Sequence, residues 1–170
     1  TTVPGIYALG DINGKGAFTH TSVNDGEILM HNLRGENWKV SDRTPIYAMY
    51  IDPPLGRVGL SEREALETGR EMLVSRMPMS HIARAREKGE TDGIAKIIVD
   101  AETDLLVGAT VFGTGGDEVI NMLAVVIHSR IPCKHYRRVV LAHPTVAELM
   151  PWVLDNLEPL RAETSPALSA

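Results

Sequence analysis

Two runs rich in isoleucine and valine, residues 93–99 and 105–112, constrain the fold of this chain more than any other feature. Runs of this length and composition are typical of β-strands, because β-branched side chains pack well on a pleated surface. The connection between them, residues 100–104, is short and mostly polar. A connection of this kind fits the turn of a hairpin. The two runs therefore predict a β-hairpin.

A helix is predicted next, over residues 117–129, and its apolar residues occupy more than one face. They are Val119, Ile120, Met122, Leu123, Ala124, Val125, Val126 and Ile127. A helix that is apolar almost all round needs cover on two sides. One side would pack on its own sheet. The other side would pack either on a second copy of the chain, as a homodimer, or on the rest of the core, and the sequence leaves both alternatives open.

Three further strands are predicted, over residues 46–51, 55–60 and 72–77. Ser61 and Glu64 form a capping box, which marks the start of a short helix between the second and third of these strands. The elements together favour an α+β fold. We expect a mainly antiparallel sheet of about four or five strands with helices packed on it.

The N-terminal region has a different organisation. Residues 2–9 predict a short buried strand, and residues 18–33 predict a helix. No initiator methionine and no Gly-x-Gly-x-x-Gly fingerprint accompany the strand, so we expect the chain to be part of a longer protein. The polar residues 34–43 predict a connection to a second domain.

These patterns predict three regions along the chain. The first is residues 1–43, and the second is a domain over residues 44–157. The last, residues 158–170, is rich in proline, serine, threonine and alanine and predicts a flexible tail.

Composition argues against several classes of partner. A net charge of −5 and a pI near 5.7 give no support for binding nucleic acid or an anionic membrane. No apolar run approaches the roughly 20 residues that a membrane helix needs, and the N-terminus has no signal-peptide pattern. Cys133 is the one cysteine of the chain, so no internal disulfide can form, which fits a reducing compartment. We therefore expect a cytoplasmic protein without a nucleic-acid or membrane partner.

His143 and Glu148 are the candidate catalytic residues. A histidine exchanges a proton near neutral pH, and a nearby carboxylate can fix its tautomer and stabilise its charged form. Pro144 prevents a helix at His143, so the imidazole is expected on a bend, with Glu148 one turn inside the helix that follows. Thr145 and Glu148 also match a capping box, in which the carboxylate only satisfies backbone donors. The spacing is compatible with both roles.

Other candidate sites are less well supported. His128, His135 and His143 lack the spacing of a zinc site, so no metal site is predicted. The glycine-rich residues 113–116 resemble a phosphate cradle but lack the ending of a P-loop, which favours a strand-to-helix turn. A lone cysteine such as Cys133 is more often a small apolar core residue than a nucleophile.

The His-Pro-Thr-x-x-Glu pattern that begins at His143 resembles the C-terminal signature of the pyridine nucleotide-disulfide oxidoreductases, the family of glutathione, lipoamide and mercuric reductases. Residues 1–11, which end in Gly10-Asp11, are similar to the last flavin-binding strand of that family. The two motifs occur in the family's order and at about its separation. The resemblance extends from Thr1 to about Leu157.

The resemblance implies roles for particular residues. Gly10 and Asp11 would contact the ribityl chain of FAD, and the backbone at Thr19 and His20 would face the flavin ring. Residues 1–43 would then be the end of an FAD-binding domain.

The same resemblance makes residues 44–157 a dimerisation domain. His143, supported by Glu148, would be the acid/base for a redox-active disulfide that belongs to the partner subunit of a homodimer.

The activity implied is that of an FAD-dependent oxidoreductase. It would pass electrons from NADH or NADPH through FAD and a cysteine pair to a disulfide or a related small-molecule substrate. With one cysteine, the chain by itself is expected to be inactive. Two alternatives remain: a non-catalytic dimerisation module in which His143 and Glu148 form only a bend and a cap, and a flavin reductase relative that acts without a disulfide.

Overall fold

The computed structural model describes residues 1–162 and divides the chain into two compact units. The first unit is Thr1–Arg43, and the second begins at Thr44. In the first unit, a 3₁₀ turn at Gly10–Asn13 precedes one long helix, α1 (Thr19–Leu33). This helix agrees with the one that the sequence predicts.

Residues 2–9 do not form the strand that the sequence predicts, and they are irregular and exposed. A strand is stable only when a neighbouring strand satisfies its backbone donors and acceptors. Among the described residues of the first unit, no other segment is a strand, so this apolar run has nothing to pair with. The predicted strand is therefore wrong for this unit.

The second unit is built on a six-stranded sheet in which every neighbouring pair is antiparallel. The spatial order is β1-β2-β5-β4-β3-β6. The strands are β1 (Ile46–Met49), β2 (Leu55–Gly59), β3 (Met72–Pro78), β4 (Ile94–Asp100), β5 (Leu105–Phe112) and β6 (Glu158–Pro159). With the helices described below, this sheet confirms the predicted α+β class, with one strand more than expected.

The additional strand lies inside the predicted flexible tail. Glu158 pairs with Val74 and Pro159 with Leu73, and the amide of Leu160 donates to the carbonyl of Met72 at 2.8 Å. The tail predicted from residue 158 therefore begins too early, because pairing with β3 outweighs the polar and proline-containing composition. The rest of that prediction, residues 163–170, lies outside the described residues.

The predicted hairpin is present as β4 and β5, which lie in the middle of the sheet. Asp100 organises its turn, because its Oδ1 accepts the amides of Glu102 at 3.1 Å and Thr103 at 2.9 Å. Its Oδ2 lies 2.7 Å from Nη1 of Arg70. These contacts explain how a carboxylate with no exposed side-chain surface can be stable there.

Five short or medium helices accompany the sheet: α2 (Glu62–Glu67), α3 (Ala83–Lys88), α4 (Gly116–His128), α5 (Cys133–Tyr136) and α6 (Met150–Val153). The capping box predicted for α2 is present, because the Glu64 amide donates to Ser61 Oγ at 3.1 Å and the Ser61 amide donates to Glu64 Oε2 at 2.7 Å. Within residues 1–162, no helix has the length and apolarity that crossing a membrane requires.

Helix α4 packs on β2 and β5 through Val119, Ile120, Leu123 and Val126, which are buried. The approach is close at one point: a β-carbon at Gly56 would lie 2.3 Å from the carbonyl oxygen of Gly116 and 2.6 Å from Cβ of Ile120. On the opposite face, Val125 is 61% exposed. The described residues therefore cover one side of α4 and leave part of the other side open.

Gly56→Ala is expected to lower the free energy of unfolding of the second unit by about 1–3 kcal/mol, because the added methyl would push α4 away from the sheet. Gly26→Ala is the control for the added methyl. A β-carbon there has no neighbour within 4 Å, so the change should be neutral or stabilise α1 by up to about 1 kcal/mol. Urea unfolding followed by tryptophan fluorescence measures both, with Trp152 in a Trp38→Phe background reporting on the second unit and Trp38 in a Trp152→Phe background reporting on the first. Parent-like stability of Gly56→Ala would contradict the close packing.

Candidate active site

His143 and Glu148 are in direct contact. Nδ1 of His143 lies 2.9 Å from Oε1 and 3.0 Å from Oε2 of Glu148. An ionised carboxylate can only accept hydrogen bonds, so the neutral imidazole carries its proton on Nδ1 in this pairing. Nε2 is then the ring nitrogen that can accept a further proton.

The two side chains differ sharply in exposure. The side chain of His143 is 70% exposed, whereas that of Glu148 is 12% exposed. His143 lies on a bend, and Glu148 lies in a 3₁₀ turn, Ala147–Leu149, that leads directly into α6. The pair therefore consists of a nearly buried carboxylate that supports a solvent-facing imidazole, which is an arrangement suited to proton exchange.

The capping contacts that the sequence left as an alternative are present as well. The Thr145 amide donates to Oε1 of Glu148 at 3.3 Å, and the Glu148 amide donates to Oγ1 of Thr145 at 3.2 Å. The same carboxylate thus satisfies a backbone donor and contacts the imidazole. The two interpretations of Glu148 do not exclude each other.

In the first unit, Gly10 and Asp11 lie beside the first turn of α1. Oδ1 of Asp11 accepts the hydroxyl of Ser22 at 3.1 Å, and the Asp11 residue is exposed. Gly10 is buried with φ +70°, and a β-carbon there would lie 2.8 Å from Oγ of Ser22. The positive φ therefore favours glycine at this position, and an added methyl would also require Ser22 to shift.

Thr19 and His20 are the first two residues of α1, and both are exposed. The ring of His20 stacks on Phe18, with centroids 5.4 Å apart and an interplanar angle of 17°. Backbone amides in the first turn of a helix lack an earlier carbonyl partner, and the helix dipole makes this end electropositive. The first unit therefore brings a carboxylate, Asp11, close to the electropositive end of α1.

Asp25 is a residue of this region that the sequence analysis missed. It is 4% exposed, and its Oδ2 accepts the Gly10 amide at 3.0 Å and Nδ2 of Asn13 at 2.6 Å. Its Oδ1 accepts Nη2 of Arg43. An aspartate in the interior of a predicted helix was the only available signal, because its partners are distant in the chain.

The charge on Asp25 is stabilised despite its burial. Burial alone would raise the pKa of this carboxyl, but hydrogen bonds from Arg43, Gly10 and Asn13 outweigh it and hold the pKa below its ordinary value of 3.8. Asp25 thereby fixes the turn that carries Gly10 and Asp11 onto the helix that carries Thr19 and His20.

Cys133 has no chemical role in this arrangement. Its side chain is buried in the core of the second unit. Burial, followed by the charge of Asp104, raises the pKa of its thiol to about 12, so the reactive thiolate does not form near neutral pH.

Known proteins of one family match this chain. The model of the pyridine nucleotide-disulphide oxidoreductase dimerisation domain matches residues 46–154. The probable pyridine nucleotide-disulfide oxidoreductase RclA of Escherichia coli K12 is 34% identical over 150 residues, which are 87% of this chain and 34% of that protein. Mitochondrial dihydrolipoyl dehydrogenase of Sus scrofa is 32% identical over 148 residues, which are 87% of this chain and 29% of that protein.

Solved structures agree with these relatives. The HOCl-induced flavoprotein disulfide reductase RclA from Escherichia coli superposes with a TM-score of 0.78 at 34% identity, over 85% of this chain and 34% of that chain. The chain spans about a third of the length of the curated relatives that it matches.

Asp25→Asn is expected to lower the free energy of unfolding of the first unit by about 1–3 kcal/mol at neutral pH, because a charged hydrogen-bond acceptor is lost. Since the folded-state pKa of Asp25 lies below 3.8, its contribution is present above that pH and is lost as the pH falls further. Urea unfolding followed through Trp38 in a Trp152→Phe background, at neutral pH and at about pH 3, measures the loss.

Glu27→Gln, which neutralises an exposed carboxyl on the same helix, is the control and should keep the parent's pH dependence. If Asp25→Asn and the parent lost the same stability on acidification, Asp25 would not hold the turn.

Proposed function

The chain belongs to the pyridine nucleotide-disulphide oxidoreductase family, and on this premise we propose that it is the C-terminal part of an FAD-dependent disulfide reductase. The complete polypeptide, called the whole protein below, would pass electrons from NADH or NADPH through FAD and a cysteine pair to a disulfide or a related small-molecule substrate. Because the chain has one cysteine, which is buried, the cysteine pair would lie in the rest of the whole protein.

The contact between His143 and Glu148 carries this proposal. Its Nδ1–H donor would be held by the carboxylate, so Nε2 would accept the proton of a thiol. The thiolate so formed is the species that attacks a disulfide sulfur. The imidazolium would then return its proton to the thiolate that leaves, and Glu148 would stabilise the ring while it is charged.

The first unit would contribute to the FAD site. Asp11 offers exposed carboxylate oxygens to the hydroxyl groups of a ribityl chain, and Ser22 holds it beside the first turn of α1. The electropositive end of α1, at Thr19 and His20, would face the electron-rich edge of the flavin ring. When bound, FAD would carry electrons from the nicotinamide to the cysteine pair.

A homodimer would bring His143 to the cysteine pair of the partner subunit. Large apolar residues are exposed within the segment that matches the dimerisation domain: Met49, Tyr50, Ile51, Val125, Val139, Val140 and Trp152. Val140, which is 95% exposed, lies three residues before His143. Where such residues lie next to one another, as in the runs 49–51 and 139–140, exposed apolar surface favours a protein interface.

One observation favours a second candidate, the non-catalytic dimerisation module. The bonds between Thr145 and Glu148 are those of an ordinary capping box, so the motif would also be needed to form the bend. In that case the imidazole of His143 would make no contribution to turnover. Substitution of His143 distinguishes the two candidates.

His143→Ala in the whole protein is expected to lower turnover by about 10²–10⁴-fold, because the thiol proton would lose its acceptor. The FAD content and the dimer should remain unchanged, since the side chain is mostly exposed within its own subunit and Glu148 keeps its bonds with Thr145. His135→Ala, at an exposed histidine on α5, is the control and should retain the parent turnover. Steady-state kinetics with the disulfide substrate measures both variants. Parent-like turnover of His143→Ala would leave only the bend-and-cap role.

Val125→Glu is expected to weaken the homodimer of the whole protein by roughly 100-fold or more, because a charge would be buried without a partner. Sedimentation over a dilution series gives the dissociation constant. Ala101→Glu, which adds the same charge at an exposed turn, should dimerise like the parent. A dimer that is equally stable with Val125→Glu would exclude this face of α4 from the interface.

A further inference from the structure

The hydroxyl of Thr145 ties together the two ends of the segment that carries His143. It donates to the carbonyl of Ala142, the residue before His143, at 2.8 Å. It also accepts the amide of Glu148 at 3.2 Å. One oxygen atom thus fixes the distance between the backbone that precedes the imidazole and the backbone that bears the carboxylate.

The backbone amide of Thr145 acts on the carboxylate itself. It donates to Oε1 of Glu148 at 3.3 Å, and the same oxygen lies 2.9 Å from Nδ1 of His143. An acceptor that is held by a backbone amide has less freedom to rotate away from the ring. Thr145 therefore restrains Glu148 through both its main chain and its side chain.

Within its own subunit the imidazole has few other restraints. Its side chain is 70% exposed there, so packing in that subunit contributes little to its orientation. The carboxylate of Glu148, at 12% exposure, is the better-fixed member of the pair. The direction in which Nε2 points therefore depends on how firmly Glu148 is held.

We propose that Thr145 is a positioning residue for the His143–Glu148 pair, acting through Glu148 rather than on the substrate. The inference rests on the acid/base function proposed above. Loss of the hydroxyl would leave both titrating groups in the chain but would remove the two bonds that hold the backbone of Glu148 relative to Ala142, so the carboxylate would be held less firmly where it fixes the Nδ1–H tautomer. The catalytic effect of the pair would then fall even though neither of its members had changed.

A second capping box in the same unit provides a control for the loss of a cap hydroxyl away from the His143–Glu148 pair. Ser61 and Glu64 make the same reciprocal contacts at the start of α2, at 3.1 Å and 2.7 Å. There the carboxylate contacts Nη2 of Arg57 at 2.8 Å rather than an imidazole. Ser61→Ala therefore removes a cap hydroxyl without touching the His143–Glu148 pair.

The test compares Thr145→Val, Thr145→Ser and Ser61→Ala. Turnover is measured in the whole protein with the disulfide substrate, and the tautomer of His143 is read from ¹⁵N chemical shifts of histidine-labelled 170-residue chain. Thr145→Val loses the hydroxyl and keeps the branched shape. Thr145→Ala is a second variant that loses the hydroxyl. His143→Ala is assayed alongside.

Thr145→Val is expected to lower turnover by about 10–100-fold and to convert the neutral ring of His143 from the Nδ1–H form to a mixture of tautomers. Thr145→Ser should restore both properties to the parent values. Ser61→Ala should lower the melting temperature by about 2–4 °C, as Thr145→Val does, and leave turnover and tautomer unchanged.

Two failures can be told apart. Parent-like turnover and tautomer in Thr145→Val, with His143→Ala impaired, would overturn the positioning role and leave the proposed function intact. Parent-like turnover in His143→Ala would overturn the acid/base role of the pair and, with it, any catalytic effect of Thr145; the tautomer of His143 in Thr145→Val would then decide only whether Thr145 positions the ring.

Discussion

The burial of α6 against the sheet determines where Glu148 can lie. Met150 and Val153 have no exposed surface, and α6 packs on β3 and β4. Complete burial of side chains of this size contributes about 1.5–3 kcal/mol each, so the start of α6 is strongly held. Glu148 precedes Met150 by two residues and shares this restraint. The exposed bend that carries His143 is therefore attached to one of the best-packed parts of the unit.

The carboxylate of Glu148 makes two kinds of contact. It accepts a backbone amide, as in any capping box, and it also contacts the imidazole of His143. A carboxylate that is fixed by the fold can orient an exposed histidine at little additional entropic cost. One arrangement thus provides structural capping and the contact that the proposed acid/base would need. A residue pattern that is common in structural roles is therefore compatible with the proposed catalytic role.

Local patterns in the sequence were enough for much of the second unit. The hairpin of β4 and β5 and the capping box of Ser61 and Glu64 depend on residues that are neighbours in the chain, and both were predicted. The predictions of a strand at residues 2–9 and of a tail from residue 158 were wrong, because strand formation depends on a partner strand that is distant in the chain. β6 exists because β3 offers it a backbone edge, and composition alone does not reveal that edge.

In the candidate site, too, local sequence patterns indicated some features and missed those that depend on distant residues. The spacing of His143 and Glu148 and their resemblance to a family motif indicated the pair, and the structure places the two side chains in contact. Their catalytic roles, and those of Gly10, Asp11, Thr19 and His20, stay predictions. Asp25 was missed because its partners Gly10 and Arg43 are far from it in sequence, and the bond from Thr145 to Ala142 was missed for lack of any pattern that marks it.

The central claim is that His143 of one subunit serves the cysteine pair of its partner. The most direct test is a mixed dimer, purified through two different affinity tags, of a whole protein carrying His143→Ala and a whole protein whose cysteine pair is replaced by serine. One of its two sites would combine an intact cysteine pair with the partner's intact His143. This mixed dimer is expected to show disulfide reductase turnover well above that of either parent dimer. A purified mixed dimer as inactive as both parents would contradict an acid/base that acts across the interface.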